Sequence, residues 1–373
     1  MNGKRKMLSS IANGLHEDFP VVIPYVGIFL RDHWEEVTDR PWWTFYGHDL
    51  DAWLKVEEDL QAKLPMDWIE CGMCPSAERR SRYRVRGDGG SAVLVDALSG
   101  KAEDVIQRPP VGGTHIPIER EPTIRSVEEV DDHVDVIDWR ALIRSGMLDY
   151  VKMVAEKFGP RKFLCASIGT PYWTALCSYF GLKGMMTYLI RRPGLVERVL
   201  TRLKERAVEQ LKAYADAGID GIWVEECLSS ANEISLGHFQ KFVLPYDVEL
   251  ISEIRRLGMK SIYYPCGKMD DRLGLAIDAK PDCISLEESK KGFKIDIARV
   301  DEMVAGRACI FGNLDAIWIL QDGTREAIRD EIRRQIDVGR RHGKFVMSLG
   351  SPVTPKTPLS RVKEYIDIVR ANP

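Results

Sequence analysis

From about residue 160 onward, short apolar runs alternate with long amphipathic stretches. The runs are KFLCASIG, GIDGIWVEE, KSIYYPCG, DCISLEES, ACIFGNLDA and KFVMSLGSP, each nearly all apolar until its last residues. That is the pattern of strands covered on both faces in a parallel sheet. Between them, in GLVERVLTRLKERAVEQLKAYADAG, Leu195, Val199, Leu203, Val208 and Leu211 recur near a 3.6-residue period while Arg, Lys and Glu fill the other side, which predicts a helix. Gly218, Gly258 and Gly343 follow such helical patterns and suit left-handed helix ends before the next strand.

Strand and helix alternating in this way predict repeated βα units. Six such strands, with FPVVIPYVGIFL near the start and either MDWIECG or an unassigned strand, make eight. The expected fold is therefore α/β, a (β/α)8 TIM barrel with an N-terminal elaboration, rather than an open doubly wound sheet. An open sheet binding a nucleotide would want a glycine-rich phosphate loop, and the chain has none of the usual spacing.

Length does not force a second domain, so residues 1–373 are expected to form one barrel domain. Its first 120 residues differ in texture: Trp34, Trp42, Trp43, Trp53 and Trp68 supply five of the nine tryptophans, and GDGGSAVLVDALSG reads as a small hairpin. This part is expected to be an aromatic-rich cap that also contains the first strand. Its aromatics serve chiefly to pack the cap onto the barrel, with lining of a substrate mouth as the alternative.

Charge narrows the function classes. Lys plus Arg total 53 and Asp plus Glu 56, a formal charge of -3 without a long run of either sign, so nucleic acid and anionic membrane surfaces are not expected partners. The start of the chain is too polar for a signal-peptide core, and a cytoplasmic location is expected. FLCASIGTPYWTALCSYFGL is uncharged and of membrane-spanning length, but its Ser, Thr, Gly and central Pro predict a buried strand, a turn and a helix start. Eight scattered cysteines do not suggest a disulfide framework. Cys165, Cys283 and Cys309 read as small buried hydrophobes. Cys71 and Cys74 form a CxxC with no second pair, which favours a packed or surface pair over a structural zinc.

In a parallel barrel the chemistry collects where strands end. Those residues are Gly169 and Tyr172; Glu225, Glu226 and Cys227; Tyr264 and Cys266; Glu287 and Glu288; Asn313 and Asp315; Ser348 and Ser351. Carboxylate and thiolate converging on one rim is a donor mixture that zinc accepts. Adjacent strand residues point to opposite sides, and Glu226 is taken as the inward one of its pair. In the opposing reading these glutamates only pair with neighbouring Lys or Arg. None of the seven histidines stands at a strand end; His33, His48 and His115 are cap residues that could meet a substrate, with a solvated or packing role as the default for each.

GIDGIWVEE, FVLPY, IYYPCG, GNLDA and SPVTPKTPLSRVKEYIDIVR together resemble the uroporphyrinogen decarboxylase superfamily, from about Pro20 to the C-terminus. The resemblance implies a (β/α)8 barrel and either a decarboxylase or a zinc-dependent methyltransferase that exchanges methyl groups with a corrinoid protein. The decarboxylases carry two arginines after the first strand for substrate propionates, whereas residues 20–33 hold only Arg31. The branch serving coenzyme M has a His-x-Cys-Gly motif and a second cysteine before the last Pro-rich segment. Here the first reads Tyr264-Pro265-Cys266-Gly267 and Ser351 takes the second place, so one of three ligands is kept.

Fewer thiolates and more oxygen ligands make a harder, more Lewis-acidic metal, which suits an ether oxygen. The chain also resembles the superfamily's less uniform members, the O-demethylases that pass the methyl of a methoxylated aromatic to a corrinoid protein and have varied zinc ligands. What this implies is zinc held by Glu226, Cys266 and Cys227, with Tyr264 as proton donor or substrate contact and Glu287 in the catalytic group. The methyl acceptor is a cobalamin-type corrinoid on a partner protein, and a homodimer is carried as an open expectation. The alternative is a metal-free decarboxylase or lyase using Glu226, Glu287 and Tyr264 for acid–base work. A third reading is a binding or carrier-docking barrel without turnover.

Overall fold

The computed structural model describes residues 1–12, 18–87, 90–112, 120–290 and 292–371; His16 and His115 lie outside them. Ten strands are formed: β1 (Trp68–Glu70), β2 (Tyr83–Gly87), β3 (Ser91–Asp96), β4 (Ala102–Gln107), β5 (Phe163–Gly169), β6 (Gly221–Glu226), β7 (Lys260–Pro265), β8 (Cys283–Ser285), β9 (Cys309–Phe311) and β10 (Phe345–Val346). Seven of them pair in the order β1-β5-β6-β7-β8-β9-β10, every pair parallel.

The curled sheet is closed by residues 20–23. Val21 forms a parallel bridge with Met347, whose N–H donates to the Pro20 carbonyl (2.8 Å) and whose own carbonyl accepts from Val22 N–H (2.9 Å). On the other side Asp67 N–H donates to the Val21 carbonyl (3.0 Å), while the Asp67 carboxylate accepts from Val21 N–H (2.9 Å). Eight staves thus surround one core, as the alternating pattern predicts. The first stave is shorter than the apolar run FPVVIPYVGIFL suggests. Tyr25 adopts a left-handed conformation (φ 58°) that stops the extended run, and Val26–Asp32 is helical.

Inside the barrel, Trp223 packs edge-on or tilted against Trp68, Tyr264 and Phe311, with Trp223 and Tyr264 centroids 4.9 Å apart. The opposite, N-terminal end is covered by the helix Gly3–Ala12: Lys4 pairs with Asp220 (2.8 Å), and Met7, Ser10 and Ile11 are buried. The expected hairpin is present and gains a third strand, giving an antiparallel β2-β3-β4 sheet. The cap tryptophans mostly pack on one another and on Phe45 and Tyr150. The 163–182 stretch is β5 followed by helical turns from Pro171, and no described helix is long and apolar enough to cross a membrane. Gly218, Gly258 and Gly343 all have positive φ at helix ends.

Two buried carboxyls give the fold a pH dependence. Burial pushes Glu57 up to about 7 and Glu70 up to about 8. Between the ordinary carboxylate range and these values the folded protein keeps protons that the unfolded chain has released. Stability therefore falls as pH rises through that window, by up to about 1.4 kcal/mol per pH unit per group, and flattens above it. Denaturant unfolding from pH 5 to 9 is expected to show this decline, and Glu57→Gln to make it shallower.

Candidate functional site

Strand parity decides which side chains reach the barrel mouth. Trp223 on β6 and Tyr264 on β7 face the barrel interior, and Glu225 pairs in register with Tyr264. Period-two alternation then sends Glu225 inward and Glu226 outward to the helices. Cys266, two residues beyond Tyr264, continues the inward series as the strand ends.

The result is a compact cluster. Ligating atoms of Glu225, Cys227 and Cys266 all lie within 4.8 Å of one another. The Cys227 and Cys266 sulfurs are 2.7 Å apart, and the Cys227 thiol donates to Glu225 Oε1 at 3.2 Å. Both cysteines are free thiols. The turn that carries Cys266 depends on Gly267, whose φ is 83°; a Cβ there would come within 2.7 Å of Ser230 Oγ. Its N–H donates to Glu287 Oε2 (3.2 Å), which ties the sulfur-bearing turn to the end of β8. Leu228, next to Cys227, also has a left-handed backbone (φ 56°). Non-glycine residues held in that region cost free energy and concentrate at functional sites.

Burial and their mutual proximity raise the pKa of all three groups. The hydrogen bond to Cys266 and then burial push the Cys227 thiol far up, with Glu225 adding to the effect. Burial pushes Cys266 up, against the hydrogen bond from Cys227. Burial raises Glu225, opposed by hydrogen bonds from Cys227 and Tyr25. Two sulfurs and a carboxylate converging on one point fit a zinc ion in donor type and in number: three protein ligands with a fourth position open is the arrangement of catalytic zinc.

A cavity of about 410 Å³ opens on the cluster, lined among others by Tyr25, Trp173, Tyr264, Glu287, Lys290 and Phe293. Tyr264 donates its hydroxyl to the Gly350 carbonyl (2.8 Å), so it offers the cavity a ring rather than a proton. Glu287 pairs with Lys290 (2.9 Å). Ser351, in the place where the resemblance puts a cysteine, donates to Glu288 Oε2 (2.7 Å) and lies 2.6 Å from Lys290 Nζ; it stands beside the thiol cluster and not in it.

The expectation that Glu226 points inward is corrected. Glu226 is fully buried on the helix side of β6, where burial and then nearby Asp247 push its carboxyl well up, opposed by Thr170 and Ser229. Asp247 accepts from the Tyr263 hydroxyl (2.6 Å). The physical reason for the misreading is that GIWVEE is apolar on both faces, so its pattern carries no parity signal. The sequence pattern does not single out Tyr25. Its ring packs against Trp223 and Tyr264 at 6.0 and 5.9 Å, and it holds the pKa of Glu225 down against burial. A tyrosine following proline at the end of the first stave was the available signal.

Other strand-end residues support the rim. Asn313 donates to the Glu287 carbonyl (3.1 Å), Asp315 caps the helical turn after β9, and the Tyr172 hydroxyl donates to the Leu228 carbonyl (3.3 Å). His33 stacks on Phe29 and meets Glu36 at 2.8 Å, and His48 contacts the Tyr83 carbonyl; neither lines this cavity. Cys71, Cys74, Cys165, Cys283 and Cys309 are buried away from the cluster.

Fold and cluster together define a TIM barrel with a thiol–carboxylate centre at its C-terminal mouth. The chain belongs to the uroporphyrinogen decarboxylase (URO-D) family, whose family model matches residues 111–372. It is 22% identical over 224 residues to the methylcobamide:CoM methyltransferase MtbA of Methanosarcina acetivorans, covering 60% of this chain and 62% of that protein. Against the MtaA methyltransferase of Methanosarcina barkeri the figures are 25% over 220 residues, 59% and 61%. The chain thus spans about three fifths of the length of these curated relatives. It is also 24% identical over 260 residues to the uroporphyrinogen decarboxylase of Chlorobaculum tepidum, covering 67% and 70%. A methyltransferase structure from Methanosarcina mazei superposes with a TM-score of 0.70, covering 99% and 98% of the two chains at 17% identity, a likeness of fold.

Proposed function

We propose that this protein is a methyltransferase that moves a methyl group from a methoxylated aromatic to the cobalt of a corrinoid protein, with zinc held at the barrel mouth. The observation that carries the reading is the convergence of Glu225, Cys227 and Cys266 at the edge of an aromatic-lined cavity. Similarity to two methylcobamide:CoM methyltransferases supports it.

Glu225, Cys227 and Cys266 would hold the ion, replacing Glu226 of the sequence-based set by its neighbour. When bound, zinc supplies Lewis acidity toward an ether oxygen that must leave as a poor phenolate leaving group. The nucleophile belongs to the corrinoid partner, for which the open barrel mouth is the route of approach. The chain's own residues do the rest. Tyr25, Trp173, Tyr264 and Phe293 form walls against which an aromatic ring packs and from which water is displaced. The Cys227 thiol keeps Glu225 oriented, and the Gly267–Glu287 hydrogen bond fixes the turn bearing Cys266. Glu287 faces the cavity as the polar contact next to the ring.

Incubation of metal-replete protein with a reduced corrinoid protein and a panel of methoxylated aromatics tests the assignment. Phenol release matched by methylation of the corrinoid is the expected result. Absence of both across the panel overturns it, and absence of bound metal as well would favour metal-free acid–base chemistry on the same barrel.

A further inference from the structure

The charges around the cavity restrict which aromatic it accepts. Beyond the thiol cluster it is lined by Glu233 and Glu287, with Glu288 just behind; the cationic side chain lining it, among the described residues, is Lys290. That ammonium is already engaged. It lies 2.9 Å from Glu287, 3.8 Å from Glu288 and 2.6 Å from the Ser351 hydroxyl. Glu287 and Glu288 thus share this ammonium, and Glu233, which accepts from Ser230, adds a further carboxylate to the lining. Bound zinc does not reverse the sign, because two thiolates and Glu225 outweigh a divalent ion.

An anionic substrate needs an unpaired cation to offset its desolvation, and among the described residues the lining provides none. Uroporphyrinogen-like propionates, a sulfonate thiol and a carboxylated methoxybenzene are all disfavoured by the same argument. The walls favour the opposite charge, since the aromatic residues Tyr25, Trp173 and Phe293 line a space flanked by carboxylates, the combination that attracts organic cations.

We infer that the methoxylated aromatic taken by this cavity carries no carboxylate and binds best when it bears a protonated amine. The inference rests on the methyl-transfer reading for the methoxy group, and on the cavity alone for the charge.

Three probes with the same ring and methoxy group separate the two: 4-methoxybenzylamine, 4-methoxybenzyl alcohol and 4-methoxybenzoate. Calorimetric titration of the metal-replete protein is expected to place the amine tightest and the benzoate weakest, with about tenfold or more between them, the scale set by one partly screened charge near the cavity wall. Glu233→Gln should narrow the spread by weakening the amine and strengthening the benzoate. Equal affinities, a tighter benzoate, or no binding by any probe overturns the inference. If the charge order holds while no probe loses its methyl group to the corrinoid protein, the charge inference stands and the methyl-transfer reading falls. If all three are demethylated with equal affinity, the reverse is true.

Discussion

Cys266→Ser is expected to reduce bound zinc from about one per chain to a small fraction and to lower methyl transfer by about a thousandfold. The magnitude follows from what a Lewis acid contributes: several kcal/mol of charge stabilisation at the leaving oxygen, at about 1.4 kcal/mol per factor of ten. Cys227→Ser should behave alike, because the two sulfurs share one site 2.7 Å apart. Folding should survive both changes, since neither thiol belongs to the aromatic cluster of Trp68, Trp223, Tyr264 and Phe311 that fills the barrel. Metal analysis of chelator-free protein, with unfolding midpoints measured alongside, checks this. Full zinc retention in both variants would place the metal elsewhere or remove it from the account.

The adjacent glutamates give the second large effect, and they should respond oppositely. Glu225→Gln removes an anionic oxygen from the cluster, and bound zinc and activity are both expected to drop by about a hundredfold, as loss of one of three metal ligands would do. Glu226→Gln touches a carboxyl whose pKa burial and then nearby Asp247 raise and which lies outside the thiol cluster, so an amide of similar shape should leave metal content and turnover within about twofold. Zinc affinity and turnover of the pair, measured side by side, check the assignment. The reverse pattern would restore the inward Glu226 that the sequence suggests.

That contrast also shows what sequence pattern can carry. Strands such as KFLCASIG and KSIYYPCG, and glycines such as Gly218 and Gly258, report burial and helix ends directly, so the barrel and its rim were legible. Cys227 and Cys266 stand out by position, at the ends of β6 and β7, and Cys266 also by the Cys-Gly motif of the resemblance. Glu225 against Glu226 was not legible, because a strand apolar on both faces leaves parity to the register with β7, and register is a property of the assembled sheet. Tyr25 was hidden for a related reason. Its left-handed turn interrupts an apolar run that otherwise reads as one long strand, and its partner Glu225 is 200 positions away in the chain. The pairing of Lys290 with Glu287, Glu288 and Ser351, which sets the charge of the cavity, likewise joins loops after different strands.

The central claim is that the barrel-mouth cluster is a zinc site built from two thiolates and a carboxylate. X-ray absorption at the zinc edge of metal-replete protein tests it most directly. The account predicts two sulfur scatterers at about 2.3 Å with oxygen completing the shell, and one sulfur in Cys266→Ser. A zinc shell with no sulfur, or a spectrum unchanged by Cys266→Ser, would contradict it.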